Sequence, residues 1–444
     1  MKLGLGFAPS EAPGHRVTPL IVCWFSFLSW NLPFSIYTNI KTNKGINIMH
    51  KCIYTKEEFE SASKEHILQN FLGPKWVSKE IVSNSAQEIF GKEIDLAFSK
   101  PFEFIRNQID AKTSRGRDAP TIKKLRGDDS SVIDLRPRGK PEYAEPKIVT
   151  TELENGRTSV QVLCADPSML PWAYKKFIEM FPNSGVTQED FLSNYKQKSG
   201  LMNESFPVNI SFGGKDYFRG AMKSVFNLLG INDKELALQE IFDPVRNFIL
   251  KGVGESHEFV SWPKETASRL PTLSDFSHLI AVYSNGTSVE GFMRLYGCIE
   301  HLFKLTDEYD GEPFCYSFLV DPLRLSSTCE IRNSVEVTTL SLPSFDSGTN
   351  LPNESTWAFY RSAIQNFGIA VSKYNLTLDF LKKIKEKLKE SGMSDQDSAG
   401  ICDGFKPILF QKLREINDQN QSEISSFIID YLASVTMHKQ MPQG

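Results

Sequence analysis

Between Ser85 and Ile109, apolar residues recur at Ile89, Phe90, Ile94, Ala97, Phe98, Phe102 and Ile105. This three-to-four spacing predicts helix, broken near Pro101. It returns between Asp216 and Leu250, through Phe218, Met222, Val225, Phe226 and Leu229, then Ile241, Val245, Phe248 and Ile249; Asp243 before Pro244 marks a helix start. At His278 the pattern changes to near-continuous apolar runs: 278–283, 289–296 and 299–305, the first two separated by Asn285-Gly286. Asn-Gly between such runs predicts a hairpin. Further strands are expected at 158–162, 314–320 and 335–342, and amphipathic helices at 377–388 and 424–435. No fixed-period repeat is present, which excludes solenoids and propellers. The order predicts an α+β fold with antiparallel strands and C-terminal helices.

With 444 residues the chain has room for two or three compact units. Its 40% hydrophobic and 23% charged content and net charge of -4 exclude disordered and fibrous classes. Seven cysteines without a Cys-x-x-Cys pair suit a reducing, cytoplasmic setting rather than a disulfide framework. Residues 17–40 carry no formal charge over 24 positions, but Pro19, Pro33 and scattered polar residues suit a membrane anchor or secretory signal poorly. Residues 1–48 therefore read as an N-terminal extension or over-long start, and no stable membrane association is expected. The expected organisation is a module over 49–127, a polar Gly- and Pro-containing linker over 128–149, and an α+β accessory or regulatory region over 150–444 that could receive a protein partner or a second copy.

Candidate chemistry is concentrated early. Glu65-His66 ends a short strand-like piece, and Gln87 lies about twenty positions later in the first helical pattern. A carboxylate and an amide oxygen can hold a hard divalent ion, and the neighbouring imidazole can take a proton from attacking water. Three other features are discounted. Lys382, Lys383, Lys385, Lys387 and Lys389 read as a solvated helix face, Phe212-Gly213-Gly214-Lys215 lacks phosphate-loop spacing, and His278 and His301 sit in strand patterns as structural residues.

The run from Cys52 to Asp95 resembles the HNH endonuclease family, in the variant built on Cys-x-x-Cys, Glu-His-Ile, Leu-Gly-Gly, Cys-x-x-Cys-Asn and Phe-Gly-x-x-Ile-Asp. The matching residues are Cys52-Ile53-Tyr54-Thr55, Glu65-His66-Ile67, Leu72-Gly73-Pro74 and Phe90-Gly91-Lys92-Glu93-Ile94-Asp95. Similarity continues through Phe104-Ile105-Arg106-Asn107 and Arg115-Gly116-Arg117, and more faintly through 218–223 and 242–249. The resemblance implies a ββα-metal finger acting on DNA, with His66 as general base and Glu65 and Gln87 holding one Mg2+ or Mn2+. Thr55, Ser83 and Ala86 stand where that variant has zinc cysteines, so structural zinc is not expected. The finger would instead be held by Ile53, Tyr54, Phe71, Leu72, Ile89 and Phe90.

Residues 100–140 hold eleven cations against six anions. Lys100, Arg106, Arg115, Arg117, Lys123, Lys124 and Arg126 are the expected DNA-backbone contacts, sequence-independent and salt-sensitive. The leading expectation is an HNH-like endonuclease hydrolysing DNA phosphodiester bonds. Its alternative is a catalytically degenerate HNH-fold module that binds DNA or a protein, motivated by the lost cysteines and by glutamine where the family has asparagine.

Overall fold

The computed structural model describes residues 49–415 apart from 74–75, 114, 129–130, 154–156, 197–205, 265–269, 271, 324–329, 334–341 and 350–353. Residues 1–48, Pro74, all but the last residue of the strand expected at 335–342 and the helix expected at 424–435 lie outside the described residues. The rest is α+β, as expected. Among the described residues no helix is long and apolar enough to cross a membrane.

Two small hairpins come first among the described residues. β1 (His50–Lys51) pairs with β2 (Glu58–Phe59), and β3 (Glu65–His66) with β4 (Val77–Ser78). Helix α1 (Asn84–Ile89) comes next, runs into a π-helical turn over Phe90–Ile94, and continues as α2 (Asp95–Ser99) and α3 (Phe102–Ile109). The expected break near Pro101 falls between α2 and α3, where the missing proline N–H cannot continue the helical ladder.

The stretch read as a linker is folded, which corrects the expectation for 128–149. β5 (Ile122–Arg126), β6 (Val132–Arg136) and β7 (Lys140–Tyr143) form an antiparallel meander, and β8 (Lys147–Glu152) pairs with β9 (Thr158–Leu163). Val132, Ile133 and Leu135 are buried despite their charged neighbours. Pro137 and Gly139 fall in a turn, and Pro141 sits on edge strand β7, where its missing N–H breaks no central ladder. Helices α4 (Leu170–Met180) and α5 (Gln188–Ser193) come after β9.

The core is organised around α6 (Lys215–Asn232), with α7 (Lys234–Ala237), α8 (Asp243–Lys251) and α9 (Ser256–Phe259) after it. A seven-stranded antiparallel sheet packs on α6. It comprises β10 (Val260–Pro263), β11 (His278–Ser284), β12 (Val289–Leu295), β13 (Ile299–Thr306), β14 (Phe314–Val320), β15 (Glu330–Asn333) and β16 (Gly348–Thr349), in the order β15-β14-β11-β12-β13-β10-β16. The Asn285-Gly286 hairpin forms as expected, with Asn285 Oδ1 accepting from the Thr287 and Ser288 amides at 3.0 and 3.2 Å. Both faces of β11 are buried, which explains its unbroken apolar run: Ile280 and Val282 face α6, whereas Leu279, Ala281 and Tyr283 join a second cluster with Phe292, Leu302 and Leu319.

Because α6 is buried nearly all round, it must be covered on two sides. The sheet covers one and the N-terminal segments the other, so residues of 52–111 and 217–374 share one continuous core. The expected separation of a 49–127 module from a 150–444 region is therefore absent from the packing. Finally, α10 (Glu354–Glu390) and α11 (Asp395–Glu415) form a helical hairpin. Tyr360, Val371 and Tyr374 join the main core, whereas Leu381, Ile384 and Leu388 pack on Cys402, Phe405 and Leu409 of α11.

Candidate functional site

The segment that resembles a nuclease finger is closed by ordinary packing. Cys52, Ile53, Tyr54, Leu72, Ala86 and Phe90 are buried. Cys52 Sγ accepts from the Ser83 amide at 3.4 Å, so two of the positions at which the resembled variant has zinc cysteines meet here through a weak hydrogen bond. The faint downstream similarity also has a physical role. Arg246 of α8 donates from Nε to the Ile53 carbonyl at 2.7 Å and from Nη2 to Ala237 and Gln239 carbonyls at 2.7 Å each, fastening the Cys52–Thr55 turn to α8.

At the centre lies a buried polar cluster. Glu65 on β3 is 7% exposed and Lys223 on α6 is 1% exposed. The Lys223 ammonium is 2.9 Å from Glu65 Oε1 and 2.9 Å from Asp95 Oδ1, with the face of the Phe90 ring 4.6 Å away. One turn along α6, Asn227 donates from Nδ2 to Glu65 Oε1 at 3.3 Å and to the His66 carbonyl at 3.2 Å. Its Oδ1 accepts the Tyr54 hydroxyl at 2.7 Å. Residues 223 and 227 share a helix face at i, i+4, which is why both reach β3. Asp95 is aimed by the π-helical turn, where its N–H reaches back to the Phe90 carbonyl. The extra residue of such a turn rotates the next side chains to a new direction.

Electrostatics reflect burial. Burial alone would lower the Lys223 pKa, but the Glu65 and Asp95 carboxylates more than offset this and raise it above the ordinary lysine range. Lys223 therefore stays charged. Burial pushes Glu65 up, opposed by Lys223. Burial and then the Glu65 charge hold Tyr54 well above the usual phenol range, leaving it a donor.

The residues expected to form the metal site serve different partners. Gln87 Nε2 donates to the Ser63 carbonyl at 2.9 Å and to the Val82 carbonyl at 3.3 Å, and its Oε1 accepts the Ser63 hydroxyl. Glu65 is committed to Lys223 and Asn227. Their arrangement does not fit a divalent ion shared between Glu65 and Gln87, and no group of three His, Cys, Asp or Glu able to hold a metal occurs among the described residues. His66 is half-buried on β3.

Among the expected DNA contacts, Lys100, Arg115, Arg117, Lys123, Lys124 and Arg126 are exposed. Arg106 is a correction: it is 7% exposed and donates inward to the Ala111 carbonyl at 3.4 Å, because its position on α3 faces the core beside Phe102 and Ile105. On edge strand β5 a register shift between Ile122 and Leu125, with Lys124 at φ 56, turns both Lys123 and Lys124 outward where strict alternation would bury one.

Sequence reasoning gave no chemical role to Lys223, Asp95 or Asn227, and placed Tyr54 only among the apolar residues holding the finger. A lysine in the middle of an apolar helical pattern was the available signal, since buried lysine requires a partner. An open groove of about 1330 Å³ also lies between β8–β9 and α4–α5, lined by Val160, Val162, Phe177, Phe181 and Phe191 among others. No protein-family model, curated protein or solved structure matches the chain.

Proposed function

We propose that the chain is a nucleic-acid-binding module with an HNH-like finger that grips phosphodiester backbone without cutting it. The Glu65 carboxylate, which a nuclease of this kind would need for its ion, is sealed against Lys223; that observation carries the reading. Support for the binding half comes from the exposed cations Lys123, Lys124 and Arg126 of β5, Arg115 and Arg117 on its approach, and Lys100 at the end of α2. Cations of this type track the phosphates and carry no base information.

The test is duplex DNA binding measured across a salt series. Replacing Lys123, Lys124 and Arg126 with glutamine should lower the log–log salt slope by about 0.9 for each phosphate no longer neutralised. Unchanged slope or no binding would point instead to a protein partner. Mg2+- or Mn2+-dependent plasmid nicking that vanishes in His66→Ala would restore the endonuclease reading and overturn ours.

A further inference from the structure

Lys223 is a full positive charge carried into the interior by a helix, and the two acids that meet it come from separate places in the chain. Glu65 lies on β3, whereas Asp95 comes just after the π-helical turn. Both are 2.9 Å from one nitrogen, and the lysine side chain is 1% exposed. The buried Glu65 carboxylate persists as an anion only with a cation beside it, and the half-buried Asp95 meets the same ammonium from its other side. One ammonium against two carboxylates leaves one negative charge unbalanced in the seat; a divalent ion would balance both. Oxygen donors from two segments, one of them reaching solvent through the 35% exposed Asp95 side chain, are the hard ligands that Mg2+ and Mn2+ take.

We propose that the Lys223 ammonium is a built-in substitute for a divalent cation: it occupies a seat formed by Glu65 and Asp95, and a chain lacking it takes Mg2+ or Mn2+ there. This deepens the reading above, since it names what keeps the finger from cutting. The seat differs from the one implied by the family resemblance, because Asp95, rather than Gln87, supplies the second oxygen donor.

The experiment titrates Mn2+ alone into full-length protein, with the free ion followed by electron paramagnetic resonance and thermal unfolding recorded in parallel. Wild-type protein should show no Mn2+ binding that Glu65→Gln removes. Lys223→Ala should bind one Mn2+ per chain and unfold at higher temperature as Mn2+ is added, and Lys223→Ala/Glu65→Gln and Lys223→Ala/Asp95→Asn should lose both effects. If Lys223→Ala is unfolded without metal, folding on addition of Mn2+ is the expected result, because binding energy then becomes folding energy. Wild-type binding that depends on Glu65, a folded Lys223→Ala that ignores Mn2+, or one that stays unfolded at every Mn2+ concentration overturns the inference. DNA binding of the same variants separates the two proposals. Absence of salt-dependent DNA binding with the Mn2+ results intact sinks only the proposed function, and the converse sinks only the cation seat.

Discussion

Acidification should unfold this protein through two histidines that are never exposed to water in the folded state. His278 and His301 are both 0% exposed, and burial pushes each imidazole from 6.5 down to about 3. The Tyr296 amide donates to His278 Nδ1 at 3.0 Å, so Nδ1 is bare and Nε2–H donates to the Leu72 carbonyl at 3.0 Å. A proton on Nδ1 would break the first of these bonds. His301 shares a hydrogen bond with the Tyr217 hydroxyl at 2.9 Å inside a ring of Phe218, Trp262 and Phe303. A depressed folded pKa means that the stabilising contribution is complete above 6.5 and is lost as pH falls toward 3. At pH 5, about 1.5 units below the unfolded value, each histidine should cost about 2 kcal/mol and the pair about 4, a large part of the ordinary total of roughly 5–15. Glu65 and Glu290 have raised pKa values in the fold and work in the opposite direction, favouring the folded state as they protonate. A His278→Gln/His301→Gln variant removes both imidazoles while glutamine can keep amide hydrogen bonds. Urea unfolding followed by tryptophan fluorescence at pH 7.5, 6.5, 5.5 and 5.0 should show the variant losing about 4 kcal/mol less than wild type over that range. Equal losses would refute the assignment of the acid sensitivity to these two residues.

Packing and charge set three further outcomes. Gly220→Ala places a Cβ 2.6 Å from Phe98 Cβ and 3.0 Å from the Ile94 carbonyl oxygen, so chemical denaturation should register a loss of about 1–3 kcal/mol, whereas Gly404→Ala, with nothing within 4 Å, should gain roughly 0.5–1. Arg294→Met leaves Glu300, 2.6 Å from Arg294 Nε and 2% exposed, without its guanidinium; the expected loss is about 3–5 kcal/mol in the same assay, largely recovered by adding Glu300→Gln. Tyr54→Phe removes the donor to Asn227 Oδ1 and should cost about 1 kcal/mol, with the circular dichroism spectrum unchanged.

Where an element's burial was one-sided or complete, the chain spelled it out. The helices over 84–109 and 215–251, the hairpin at Asn285-Gly286 and the fully buried β11 all appear where apolar spacing placed them. The meander over 122–143 did not, because Val132, Ile133 and Leu135 are a short apolar signal among charges, and their burial depends on the surrounding fold. Arg106 misled for a related reason. Charge identifies a group that prefers water, but its place on α3 turned it inward.

The candidate site divides in the same way. Glu65, His66 and Gln87 could be picked out from residue type and order, because the chemistry a side chain can perform is local to it. Gln87 meets Ser63 and Val82 close by in the chain, whereas the partners of Glu65 are set across more than a hundred residues: Lys223 and Asn227 reach it only because α6 is packed between the sheet and the N-terminal hairpins. Amino-acid order by itself determined the α+β class, the main helices and strands, and the set of groups able to act. Tertiary structure alone decided that the Glu65 carboxylate faces an ammonium instead of solvent, since ion pairing in the interior depends on distance in space, to which spacing along the chain is blind.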